Sequence, residues 1–300
     1  MINTKQIIDI AYKEGFVIPA FNIPYLPMVK AVVEAVRDEN SFALIQVARP
    51  EWMKFESKSL RAVRDEYLNW KDDNHVRLHL DHVPVVDEDY LTVDYISIIK
   101  EAIDLGYMSL MVDGSRLPLE ENIRSTKEIC ILAHEAGLPC EAELGAVLGH
   151  ESGPMPPYDE IFKSGKGFTR VEEASRFVKE TGCDWLSVAI GNIHGALSEA
   201  AKGQAKPTAK LNINHLKKLN ENTGIPLVLH GGSGIEKEYI LEAIKNGIAK
   251  INVGADIRQA YQNGAAEGGI ELGRQLVYEK VRELISDLFE VSGTANRISV

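Results

Sequence analysis

Apolar positions along the chain follow two rhythms. Short runs dense in Val, Ile, Leu and Phe fall at 16–21, 42–47, 77–80, 109–112, 140–144, 185–189, 227–229 and 250–253. Runs of that length, bounded by Gly, Pro or Asn, predict buried strands. Between them apolar residues recur every three to four positions, over 27–38, 94–105, 119–136, 171–181, 214–222 and 237–246, which predicts amphipathic helices. Gly106, Gly137, Gly182 and Gly247 follow four of these helices, where a left-handed residue commonly ends the helix. The stretch 1–16 has the same amphipathic pattern and lacks the basic-then-apolar layout of a signal peptide. The stretch 268–289 reads as a helix packed outside the sheet, available for an oligomer interface. Strands joined by helices imply a parallel sheet, and this many imply an α/β fold closed into a (β/α)8 TIM barrel. About 250 residues suffice for such a barrel. The chain's 300 residues are therefore read as one barrel domain, 1–300, with C-terminal helices.

Two segments, 83–93 and 146–168, are too long and irregular for ordinary strand–helix loops. Both follow strand C-termini, where barrel active sites lie. The chain is 45% hydrophobic and 26% charged, as ordinary globular proteins are. Its net charge of −11 lacks the basic face that nucleic acid or a membrane surface demands, so neither partner is expected. An anionic small molecule stays within reach, because a metal and backbone amides make a local positive site. Cys130, Cys140 and Cys183 form no CxxC pair and read as reduced thiols of a cytoplasmic protein. No apolar run approaches the roughly 18 residues that crossing a bilayer requires.

The chemistry concentrates at strand ends. His79 and His82 lie in HLDH after the third strand, His194 follows the sixth and His230 ends the seventh. A closed barrel brings such ends to one mouth, so His82, His194 and His230 can meet there. Three imidazoles with an open fourth position suit a catalytic zinc. His75, His134, His150 and His215 read as ordinary structural histidines. Asp81 shares the rim with His82, placed for proton transfer. Asp113 ends the fourth strand, and Glu141 and Glu143, two apart on the fifth, point the same way. Interior carboxylates need partners, so that pair serves either buried salt bridges or the metal. Glu151, in the second long segment, could swing over a bound substrate. HGGSG (230–234) and NVGAD (252–256) follow strands seven and eight, where barrels often bind phosphate through backbone N–H groups. Lys250 is the one candidate for a competing Schiff-base mechanism.

These motifs together resemble the class II, metal-dependent fructose-bisphosphate and tagatose-bisphosphate aldolases. The likeness is carried by AFN (20–22), HLDH (79–82), MVDGSRLPLEEN (111–122), EAELG (141–145), IGNIHG (190–195), HGGSG and KINV (250–253), nearly the whole chain. It implies Zn2+, or another divalent ion, held by His82, His194 and His230, with Asp113 and Glu143 near the metal or an alternative site. It also allows a monovalent cation. Asp81 is implied as the acid/base on the hydroxyl at the breaking bond, and Glu151 as the group handling the enediolate proton. Asn22, Gly195, Gly231, Ser233 and Asn252 are implied substrate contacts. The implied reaction is reversible retro-aldol cleavage of a ketose through a zinc-stabilised enediolate, in a homodimer or homotetramer.

The chain departs from the family pattern at three places. A Thr usual after the strand-eight Asn is absent from Asn252-Val253-Gly254-Ala255. A Ser usual after strand two is Ala48, followed by Arg49. HLDH runs into Val83 and an added segment rather than Gly. The expectation is that aldol chemistry is kept while the substrate differs from fructose 1,6-bisphosphate, as a monophosphate or other modified ketose. Arg49 is expected to replace the lost Ser by pairing with an anionic terminus. A metal-dependent sugar epimerase and a non-catalytic aldolase accessory subunit are the competing readings; retention of three histidines with Asp81 and Glu151 argues against the second.

Overall fold

The computed structural model describes residues 2–145, 147, 158–193 and 209–298. All the expected strands are present: β1 (Ile18–Asn22), β2 (Ala43–Val47), β3 (Val76–Pro84), β4 (Ser109–Asp113), β5 (Cys140–Leu144), β6 (Trp185–Val188), β7 (Leu227–Leu229) and β8 (Ile248–Val253). Each pairs in parallel with its sequence neighbours, and β1 also pairs with β8, which closes the (β/α)8 barrel.

The helices are α1 (Thr4–Glu14), α2 (Met28–Asp38), α3 (Arg49–Lys54), α4 (Leu60–Trp70), α5 (Tyr95–Asp104), α6 (Leu119–Glu135), α7 (Tyr158–Ser164), α8 (Val171–Thr181), α9 (Ile213–Thr223), α10 (Lys237–Lys245), α11 (Ala255–Glu283) and α12 (Ala295–Ile298). The short α3 depends on its own side chain: Glu51 accepts the Ala48 N–H at 2.6 Å, with Pro50 in the first turn. No helix among the described residues is long and apolar enough to cross a membrane. Cys130, Cys140 and Cys183 are buried and unbridged.

Strand alternation separates two cores. Ile45, Leu78, Leu110, Ala142, Leu186 and Ile251 join the apolar cluster that packs strands against helices. Their neighbours Gln46, His79, Ser109, Glu141, Ser187 and Lys250 are equally buried, yet polar or charged. A period of two sends these to the opposite face, the barrel lumen. TIM-barrel interiors are usually filled by branched apolar residues; here hydrogen bonds fill much of that space.

The C-terminal region folds back on itself. The helical conformation of α11 breaks at Gly268 (φ −140°, ψ 16°) and Gly269 (φ 79°, ψ −170°), where the expected 268–289 helix begins. Beyond the break, the second arm continues into a π-helical turn, Leu284–Leu288. A Cβ at Gly264 would lie 2.7 Å from the Leu272 carbonyl oxygen and 2.8 Å from Gly273 Cα, so the two arms touch backbone to backbone. Gly264→Ala should therefore lower stability by about 1–3 kcal/mol through overpacking. Urea unfolding checks this, and an unchanged midpoint would mean that the arms separate without cost.

Candidate metal and active site

The site begins with an irregularity in β3. In a regular strand, Asp81 and His82 would face opposite sides of the sheet. The β3–β4 register slips between Leu80 and Val83, and His82 adopts φ 28°. Both side chains consequently line one pocket at the barrel mouth. A non-glycine residue there costs on the order of 1–3 kcal/mol, tolerated where packing fixes it. The segment after the strand is compact rather than open. Val86 pairs with Thr92, and Asp87 Oδ1 accepts the N–H groups of Asp89 (3.1 Å) and Leu91 (2.9 Å).

Two imidazoles meet at the centre, His82 and His230, with ring centroids 4.4 Å apart. His82 Nδ1 lies 3.1 Å from Asp113 Oδ2 and 3.9 Å from Glu143 Oε2. His230 Nε2 is 2.9 Å from Glu141 Oε1, and its Nδ1 is 2.9 Å from Glu143 Oε2. Burial disfavours charge on both rings, but the surrounding carboxylates win. Asp81 and the Asp113 hydrogen bond lift His82 to about 10, and Glu141 and Glu143 raise His230. A field that draws protons this strongly suits a divalent cation as well. Ligand atoms of Asp81, His82 and His230 lie within 4.8 Å of one another, and those of His82, Asp113 and Glu143 form a second such group. Imidazole nitrogen with carboxylate oxygen is a zinc-competent donor set. Glu141 beside His230 is the kind of partner that orients a metal-binding imidazole. His194, the third expected ligand, lies outside the described residues, as do Glu151, Gly195 and His150.

Beneath the imidazoles, Lys250 Nζ donates to Glu141 Oε2 at 2.8 Å and to Asn252 Oδ1 at 2.7 Å, with no exposed surface. Trp185 Nε1 donates to the same Glu141 oxygen at 2.5 Å. Burial opposes ionisation of Glu141, but Lys250 and His230 hold its carboxyl well below the usual range. His79 donates to or accepts from Ser109 Oγ at 2.8 Å. Burial first and then the Lys250 charge depress His79 to about 3, so it stays neutral. Glu141 thus serves as the buried salt-bridge partner, while Glu143 sits at the imidazoles.

Asp81 is almost wholly buried and is gripped on both oxygens. Asn252 Nδ2 donates to Oδ1 at 2.9 Å and Asn22 Nδ2 to Oδ2 at 2.9 Å, with Gln46 Nε2 3.2 Å from Oδ2. Burial pushes its pKa up, but His82, Lys250 and His230 outweigh burial and keep it ionised. A fixed, charged carboxylate with lone pairs remaining at the mouth is equipped to accept a proton.

Asn22, Asp81, His82, Asp113, Gly231, Ser233 and Asn252, all expected site residues, line the same pocket. Gly232 must be glycine, because a Cβ would meet Ile251 Cγ2 at 2.6 Å where the β7 and β8 loops pass. Arg49 is not among the lining residues; its Nη1 lies 3.4 Å from Asp87 Oδ2. The cationic side chains that do line the pocket are Arg116 and Arg258, the latter stacked 5.0 Å from the Phe55 ring. Glu51 lines it too, and burial pushes its carboxyl up to about 8. The signal for Glu51 was present in Ala48-Arg49-Pro50-Glu51, where Pro in the first turn and Glu three residues after the cap mark a helix start. The remaining histidines make ordinary contacts: His75 with the Ser41 carbonyl, His134 with Asp184 and His215 with the Thr169 carbonyl.

Comparison with known proteins agrees with this geometry. Residues 2–297 match the family described as "Fructose-bisphosphate aldolase class-II". A fructose-bisphosphate aldolase of Streptococcus pyogenes is 33% identical over 270 residues, covering 89% of this chain and 83% of that protein. One from Staphylococcus aureus is 30% identical over 309 residues, covering 99% of both. Among solved structures, the YdjI aldolase from Escherichia coli K12 superposes with a TM-score of 0.76 at 29% identity, covering 98% of this chain and 100% of that one.

Two substitutions probe the buried charges. Lys250→Met strands the Glu141 carboxylate and should destabilise by about 3–5 kcal/mol in denaturant unfolding; a loss under about 1 kcal/mol would show that His230 and Trp185 suffice. Glu51, raised from 4.5 to about 8, favours the folded state while neutral. That contribution fades as pH rises from 4.5 to 8 and is gone above. The stability of Glu51→Gln relative to wild type should therefore climb across this window and level off beyond it. A pH-independent difference would mean that Glu51 is ionised throughout.

Proposed function

We propose a specific reaction from one premise: this chain belongs to the class-II fructose-bisphosphate aldolase family and is a lyase. It catalyses the reversible retro-aldol cleavage of a phosphorylated ketose, with a divalent ion, zinc in the first instance, held by His82, His230 and His194. The observation that carries this reading is Asp81, held by Asn22 and Asn252 beside the His82–His230 pair. A bound divalent ion would supply Lewis-acid stabilisation of the enediolate charge.

The chain's own residues perform the proton chemistry and the positioning. Asp81 takes the proton of the hydroxyl across the breaking bond, and Asn22 and Asn252 keep its carboxylate aimed as that proton moves. In the synthetic direction the same oxygen returns it. Handling of the enediolate proton falls to Glu151 on the strength of the sequence pattern alone. Gly231 and Ser233 on the loop after β7, with Asn252 near the end of β8, present small or polar groups where barrels bind phosphate. Water is excluded from the lower half of the site, because the lumen beneath Asp81 is filled by Gln46, His79, Glu141 and Lys250.

Initial rates on a panel of phosphorylated ketoses, with and without a chelator, test this reading. Two shorter carbon fragments, formed only before chelation, are expected; a single isomeric product would instead make the protein an epimerase. Asp81→Asn should reduce kcat by about 10²–10⁴-fold, the usual contribution of a general base, at unchanged metal content. Full activity in that variant would remove Asp81 from the mechanism.

A further inference from the structure

Pocket donors are divided between two regions. On one side stand Gly231 and Ser233 on the loop after β7, and Asn252 near the end of β8. On the other, where β2 gives way to α3, lie Ala48, Pro50, Glu51 and, across from them, Arg258. The second region has the makings of an anion site, but a carboxyl of the protein already stands in it. Glu51 Oε2 takes the Ala48 N–H at 2.6 Å. Asn22 and Arg258 line the pocket beside it, and the Asn22 amide donates to the Asp81 carboxylate at 2.9 Å. Ala48 contributes no hydroxyl. Backbone donor, amide and guanidinium are the groups that would recognise a phosphate; here the backbone N–H is taken by the Glu51 carboxyl and the amide by Asp81.

We propose that Glu51 stands where a second substrate phosphate would otherwise bind, so that the enzyme selects ketoses phosphorylated at one end only and reads a free hydroxyl at the other. The inference rests on the aldolase reading above. A carboxyl lining this end of the pocket, with the Ala48 N–H already bound to it, takes up space and a donor that a dianion would need. A protonated carboxyl both donates and accepts, which matches a hydroxyl, and burial keeps Glu51 neutral up to a pH of about 8. Should it ionise, like-charge juxtaposition would add to the exclusion of phosphate.

The test compares a six-carbon ketose carrying phosphate on C1 alone with the same ketose phosphorylated at both ends, on the metal-loaded enzyme. The wild type should favour the monophosphate in kcat/KM by about tenfold or more, and Glu51→Ala should shift that ratio towards the bisphosphate by a similar factor, mostly through KM. Equal or better cleavage of the bisphosphate by the wild type overturns the proposal. So does a Glu51→Ala enzyme that loses both activities in proportion. Titration of the two ketoses into Asp81→Asn, which binds without turnover, makes the comparison independent of how Glu51→Ala folds; tighter binding of the bisphosphate there overturns the proposal too. Cleavage of neither ketose sinks the aldolase reading and this inference together, whereas cleavage with the wrong preference sinks this inference alone.

Discussion

Charge balance inside the barrel is the constraint on which this structure depends. Asp81, Glu141 and Glu143 are buried, and Asp113 lies at the rim close to them. Carboxylates removed from water must be countered or neutralised. The chain counters them with Lys250 from below and with the His82–His230 pair from above. Glu141, Glu143 and Asp113 are held in position by the cationic or imidazole groups beside them, and Asp81 by three amides. The pocket floor is therefore rigid for electrostatic reasons, and not only because of packing.

That balance also selects the mechanism. A lysine that forms a Schiff base needs a free amine able to reach the substrate carbonyl. Lys250 is fully buried, and its ammonium is committed to Glu141 and Asn252. Removing its proton would leave Glu141 uncompensated in the lumen. The proposed electrophilic help lies instead at the imidazole end of the site, where the field favours a cation. The slip in β3 brings Asp81, the proposed proton acceptor, and His82, the ligand candidate, to one pocket. The strained His82 backbone is held in place by strands whose outer faces are fully packed.

Most of the fold was legible because buried strands read as apolar runs and helices as a three-to-four spacing. The failures have physical causes. β3 was expected to stop at Leu80, yet it continues through Asp-His-Val-Pro, because a strand lining a polar mouth carries no apolar signal. α3 is too short for periodicity, and it forms through the Glu51 cap. In the site, strand-end histidines and Asp81 were legible from alternation and barrel closure. Lys250 showed as a candidate nucleophile but not as a counter-ion, since its partner Glu141 lies three strands away around the barrel. Arg49 was placed by its nearness to a strand end. In the folded chain it opens a helix and turns to Asp87, while the pocket receives Arg258 from far along the sequence.

The groups that divide chemistry from recognition also differ in where they are mounted. Asp81, His82, Glu141, Glu143, Lys250 and Asn252 all belong to strands, whose backbone positions are fixed by ladders on both sides. Glu51, Arg116, Ser233 and Arg258 stand on loops or the first turns of helices above the sheet. A change at Glu51 or Arg116 leaves the lumen ion pairs in place, because those pairs are made by Lys250, His82 and His230. Asn22 is the exception, since it is strand-borne, donates to Asp81 at 2.9 Å and also lines the pocket beside Glu51. In that one amide the pocket wall and the hold on the Asp81 carboxylate share a single side chain.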